Sequence, residues 1–159
     1  MYGLSTNRTA QHHFQDARRK ALLAALAGLL RGQSSEMLSL EEVRARLNVR
    51  GQRYLGFQTV PLNYIVGSEG RYEDFDRHFL PRSDTLKQRW SRIDQAMHDA
   101  VNLPPVDLYK IGEIYFVRDG NHRVSVARQM GVDYFDAYNW DFVLNQEKIR
   151  LRMKELMGR

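Results

Sequence analysis

The sequence predicts an α/β (α+β) fold, a small mixed sheet with packed helices. Three observations predict it. Segments with apolar residues at helical spacing alternate with short aromatic and β-branched runs, a hairpin pattern occupies residues 106–117, and an apolar strand-like run passes through Asp119-Gly120-Asn121 into a helix. With 159 residues, 43% hydrophobic and 27% charged, the chain has the size and balance of one globular unit.

Residues 1–10 are polar and are expected to be loose. A helix is predicted over 14–30, where Phe14, Leu22, Leu26, Leu29 and Leu30 recur at spacings compatible with one face and Ala and Leu dominate. The apolar run 21–30, flanked by Arg18-Arg19-Lys20 and Arg31, superficially has the look of a secretory signal. It does not end at a small-residue cleavage site, and Gln33-Ser34-Ser35-Glu36 runs on into another helical pattern. Ser39-Leu40-Glu41-Glu42 has the form of a capping box, so a second short helix is expected to about Leu47. A helix-turn-helix would need a third helix, whereas Arg50-Gly51-Gln52 leads into strand-like sequence.

Residues 54–66 read as an edge strand or as two strands divided at Pro61. A charged loop with Glu69, Arg71, Glu73 and Asp74 follows. Pro81 and Ser83-Asp84 open a helix carrying Leu86, Trp90, Ile93 and Met97, expected to end near Asn102. The hairpin turns at Gly112-Glu113, and the helix after Gly120 carries Val124, Ala127 and Met130 before stopping at Gly131. Residues 132–140 read as a strand and 142–157 as a last helix with Lys148, Arg150, Arg152 and Lys154. The expected organisation is an N-terminal helical extension over 1–53, a core over 54–140 and a C-terminal helix over 141–159, in one structural unit. Trp140, Phe142, Leu144, Ile149 and Met153 are expected to dock that last helix on the core or on a second copy, as in a homodimer.

The net charge of +5 and a pI near 9.6 favour anionic partners. No stretch approaches the roughly 18 apolar residues of a membrane span, so no membrane partner is expected. The absence of cysteine excludes disulfides, thiolate metal sites and cysteine nucleophiles, and fits a reducing, cytoplasmic setting. His12 and His13 are adjacent without further spaced ligands, so no metal centre is read from them.

The chemistry concentrates at the junction 116–127. A helix N-terminus offers unpaired N–H groups and the positive end of the helix dipole, which together stabilise a phosphate. Gly120 leaves room for its approach. His122 and Arg123 add donors, the guanidinium being suited to two phosphate oxygens, and the stripe Arg123, Ala127, Met130 turns Arg123 toward the sheet side. Asp119 either caps the helix, the favoured reading, or holds a metal or accepts a proton beside bound phosphate. In the bland alternative Asp119 and Asn121 cap, Arg123 pairs with a buried acid and His122 is an exposed polar residue.

Pro105-Val106-Asp107-Leu108-Tyr109, a hairpin, and then Asp119-Gly120-Asn121-His122-Arg123-Val124-Ser125-Val126-Ala127 resemble the ParB/sulfiredoxin superfamily over 58–138. There the junction reads Gly-Glu-Arg-Arg-x-x-Ala in ParB domains and Gly-Gly-Cys-His-Arg in sulfiredoxins. The resemblance implies a small mixed sheet and a nucleotide-phosphate site, taking CTP in partition proteins and ATP in sulfiredoxins and related kinases, with Mg²⁺. Carried over, Gly120 is the motif glycine, Asn121 stands at the cysteine or glutamate position, and His122 and Arg123 form the phosphate-binding pair. Arg71 resembles the ParB arginine that reaches the same pocket. Sulfinic acid reduction is excluded, because it needs a thiolate. For phosphoryl transfer or hydrolysis, Asp119, Glu69, Glu73 and Asp74 are the carboxylates for Mg²⁺ or for a general base, the bland alternative being a solvated loop. The readings in competition are a nucleoside triphosphate-binding domain, a DNA-binding or nuclease-like regulator using the basic surface, and a protein-interaction module.

Overall fold

A computed structural model describes residues 2–47, 49–70 and 73–144. Four helices and six strands occur among them: α1 (Tyr2–Arg31), β1 (Leu38–Ser39), α2 (Leu40–Arg46), β2 (Val49–Pro61), β3 (Ile65–Ser68), α3 (Lys87–His98), β4 (Val106–Ile111), β5 (Ile114–Asp119), α4 (Asn121–Gln129) and β6 (Tyr134–Leu144). The strands form one mixed sheet in the order β1-β3-β5-β4-β6-β2. β3 lies parallel to β1 and β5, β4 is antiparallel to β5 and parallel to β6, and β2 closes the far edge antiparallel to β6. The fold class is therefore the mixed α/β one that the sequence predicts.

Alternation along the strands divides the interior in two. Val106, Leu108, Tyr115, Val117 and Ala137 join Phe14, Trp90, Val124 and Ala127 in the larger cluster under α1, α3 and α4. Tyr109, Ile111, Phe116 and Phe142 form the smaller cluster with Leu40 and Val43 of α2. Pro61 ends β2, and a 3-10 turn over Leu62–Tyr64 separates it from β3, so the aromatic run is two strands and not one.

Several local expectations are corrected. The segment expected to be loose is helical from Tyr2. The buried stripe of α1 is Ala10, Phe14, Ala17 and Ala21, while Leu22, Leu26, Leu29 and Leu30 are exposed. Small alanines let α1 approach α3 closely, which leucines at those positions would prevent. Ser39 precedes α2 but makes no side-chain cap, its backbone being paired with Ser68 in β1. α3 ends at His98, four residues before Asn102. β6 runs on past Trp140 to Leu144, so Phe142 and Leu144 lie on a strand and not on a helix. Pairing with the long β2 partner sustains the extended form there. Ile149, Met153 and the basic residues from Lys148 onward lie outside the described residues. The sheet draws strands from 38 to 144 and so crosses both expected boundaries, at 53 and at 140.

One hydrogen-bond chain ties the helices to the loop 75–81. The Trp90 indole N–H donates to Ser125 Oγ at 2.9 Å, and the Ser125 hydroxyl donates to the Phe79 carbonyl. The loop is itself closed by Asp76, whose Oδ1 accepts from the backbone N–H groups of His78 and Leu80, both at 2.9 Å. Burial raises the Asp76 carboxyl above its ordinary value of 3.8, outweighing those two bonds and the nearby charges of His78 and Arg82. A raised native value means that the folded state binds the proton more readily than the unfolded one. The stability contributed by this group therefore increases as pH falls from above the native midpoint toward 3.8. Chemical denaturation across that window should show wild type gaining on Asp76→Asn as the solution is acidified. A difference that is flat with pH would refute the shift.

Candidate functional site

The junction between β5 and α4 forms as its local sequence dictates. Tyr115, Phe116 and Val117 are buried on alternating sides of the sheet, and the chain then turns at Gly120 with φ 112. That left-handed geometry favours glycine. Space imposes a second demand, since a Cβ on Gly120 would stand 2.5 Å from Val106 Cγ1 and 3.1 Å from Arg123 Nη2. The far end of α4 closes with the Gly131 N–H on the Arg128 carbonyl and the Val132 N–H on the Ala127 carbonyl, with Gly131 at φ 76.

A cleft of about 320 Å³ opens at this junction. Gly120, Asn121, His122 and Arg123 line it from α4, Arg118 and Asp119 from β5, Glu69 and Gly70 from the end of β3, and Arg89 and Ile93 from α3. The pentad thus shares one cleft with Glu69. Asp74 does not line it: its carbonyl accepts from the Arg82 N–H, in the loop that leads to α3. Glu73 is exposed and likewise off the cleft. Arg71 lies outside the described residues.

The favoured reading of Asp119 as a helix cap is not what forms. The N-cap is Gly120, no side chain caps the helix, and the exposed Asp119 carboxylate pairs with Arg123 Nη2 at 3.3 Å. Being on the strand, Asp119 is too early in the chain to reach the free N–H groups. Arg123 is held on its other side by Nη1, which donates to the carbonyls of Pro104 and Pro105, the latter at 3.0 Å. Its guanidinium is a clamp between the 104–105 segment and the rim of the cleft, with its charge only partly matched by Asp119. His122 is buried and sets its ring edge-on to Phe75 with centroids 5.1 Å apart, so it is not the exposed polar residue of the bland alternative. Asn121 is also buried, and its Oδ1 has no hydrogen-bond partner among the described residues. A buried amide oxygen left in that state costs about 1–3 kcal/mol.

Two arginines that the sequence pattern did not single out complete the site. Arg118 stacks over Trp140, 4.6 Å from its ring centroid, and over Tyr109 at 5.6 Å, which fixes the guanidinium at the cleft wall. Burial and the nearby Glu69 charge raise the Tyr109 hydroxyl, while Arg118 opposes that rise. Arg89 is exposed on α3 and has no ion-pair partner among the described residues. The only hint in sequence was the alternation that puts Arg118 on the Tyr109 side of the sheet. Nothing local announced Arg89.

No family model matches the chain, and no curated protein matches it. Among solved structures the chain is similar to sulfiredoxin from Arabidopsis thaliana, at 13% identity and a TM-score of 0.39, over 52% of this chain and 82% of that one. It is also similar to a Pnob8-like ParB-N domain, at 13% identity and a TM-score of 0.39, over 67% of this chain and 36% of that one. The roles given to residues below rest on the geometry of this chain. No helix among the described residues is long and apolar enough to cross a membrane.

Proposed function

We propose that the cleft binds the phosphate chain of a nucleoside triphosphate, ATP or CTP, together with Mg²⁺. The observation that carries this reading is the convergence of Arg89, Arg118 and Arg123 on the N-terminus of α4, at a glycine where no side chain fits. Three guanidiniums against the exposed carboxylate of Asp119 and the half-buried Glu69 leave the cleft cationic unless an anion enters. Backbone N–H groups in the first turn of α4 and the helix dipole act on the same anion. Oxygen donors suit Mg²⁺, which is held by one or two carboxylates plus substrate phosphates. Asp119 and Glu69, which both line the cleft, are the carboxylates proposed for that role, and the ion would supply charge neutralisation on the phosphates.

Thermal unfolding with ATP, CTP and GTP, each with and without Mg²⁺, tests this directly. A ligand at about a hundredfold over its Kd adds about 2.7 kcal/mol to native stability. At least one nucleotide should raise the midpoint, and Arg89→Ala and Arg118→Ala should each weaken binding by about tenfold or more, as the loss of a charge-assisted bond of 1.5–3 kcal/mol implies. Absence of any shift at millimolar nucleotide would end the proposal. A polynucleotide that binds instead, with affinity falling steeply as salt rises, would favour the DNA reading.

A further inference from the structure

We propose a second site, outside the nucleotide cleft, for a divalent transition-metal ion of the Zn²⁺ type at the seam between α1 and α3. His13 on α1 meets Asp94 and His98, which lie one turn apart on the same face of α3. His13 Nδ1 is 2.7 Å from Asp94 Oδ2, and His98 Nδ1 is 3.5 Å from Asp94 Oδ1. The two imidazoles stack with centroids 5.0 Å apart. One ligand atom from each of the three residues lies within 4.8 Å of the other two. A tetrahedral shell with bonds of about 2.0–2.1 Å has edges of about 3.3 Å, so small side-chain rotations bring the three atoms onto one ion.

The electrostatics favour a cation there. The Asp94 side chain is only 3% exposed, and among the described residues it meets no lysine or arginine, only the two imidazoles. A buried carboxylate needs a compensating charge, which a bound cation supplies. Two imidazoles and a carboxylate are a donor set that binds Zn²⁺ and leaves a fourth position for water. The histidine side chains are 37% and 40% exposed, so an ion has access from solvent. On binding, each ring offers Nδ1 to the ion and carries its proton on Nε2. His98 at the same time gives up its 2.8 Å bond to the Asp94 carbonyl. The consequence is a cross-link that pins α1 to the core.

The test is calorimetric titration of tag-free, chelator-stripped protein with Zn²⁺, with Co²⁺ absorption as a reporter of nitrogen and oxygen ligation. We expect one equivalent at micromolar metal or tighter, a raised unfolding midpoint, and roughly tenfold or greater loss of affinity in both His13→Ala and His98→Ala. His12→Ala, which alters the exposed neighbour, should bind as wild type does. His98 is part-exposed in the last turn of α3, so His98→Gln serves as a second variant whose folding can be verified by circular dichroism. No uptake at micromolar Zn²⁺, or uptake that survives in both folded histidine variants, would overturn the proposal and leave the triad a hydrogen-bonded lock. Neither outcome bears on the nucleotide cleft.

Discussion

Gly120→Ala is expected to cost several kcal/mol of stability and to remove the nucleotide response together. Two costs arise at one atom. Holding a non-glycine residue at φ 112 costs on the order of 1–3 kcal/mol. Forcing a Cβ to 2.5 Å from Val106 Cγ1 adds about 1–3 kcal/mol of overpacking, because Val106 is fully buried between the sheet and α4 and has nowhere to retreat. The same Cβ stands 3.1 Å from Arg123 Nη2, so relief of the clash displaces the clamp at the rim of the cleft. Gly131→Ala separates the terms: Gly131 has φ 76, but its added Cβ would meet nothing within 4 Å. That variant should lose only the strain energy and keep its nucleotide shift. Denaturant melts and thermal shifts on both variants decide the matter. Equal losses in the two, or an intact nucleotide shift in Gly120→Ala, would show that the close approach at Gly120 does not matter.

Trp90→Ala should be among the most destabilising changes in the chain, at about 3–5 kcal/mol. Trp90 is fully buried, meets Phe14 edge-on with centroids 5.7 Å apart, and donates to Ser125 Oγ. Its removal opens a cavity where α1, α3 and α4 meet and takes the donor from a hydroxyl that itself holds the Phe79 carbonyl. Trp90→Phe divides this loss into its parts. It retains most of the packing and should cost about 1–3 kcal/mol, from the missing hydrogen bond and the smaller ring. Urea unfolding of both variants gives the two numbers, and a loss below about 1 kcal/mol in Trp90→Ala would contradict a core centred on this residue. Because α3 also carries Arg89 into the cleft, nucleotide affinity should fall along with stability in Trp90→Ala.

Local rules account for the parts of the molecule that were legible early. Tyr115-Phe116-Val117 alternate across the sheet, Gly120 takes the left-handed turn, and Gly131 stops α4, each within a few residues of the feature it controls. Pro61 divides a strand for an equally local reason, the missing N–H. The pentad could therefore be placed at a strand-to-helix junction from sequence. The buried face of α1 is not legible in the same way, because leucine outweighs alanine in any apolar count, whereas the seam with α3 selects small residues.

By itself, then, the sequence determined the mixed α/β class, the hairpin and the glycine-led helix start, since backbone conformation and apolar alternation act over short spans. Only the tertiary structure decided what gathers around that start. Arg89 reaches the cleft because Trp90 docks α3 beneath α4, Asp119 is drawn to Arg123 instead of the helix end, and His13 meets Asp94 across 81 residues of chain. Such encounters depend on which faces of distant helices are buried, and burial is settled by the packing of the whole core.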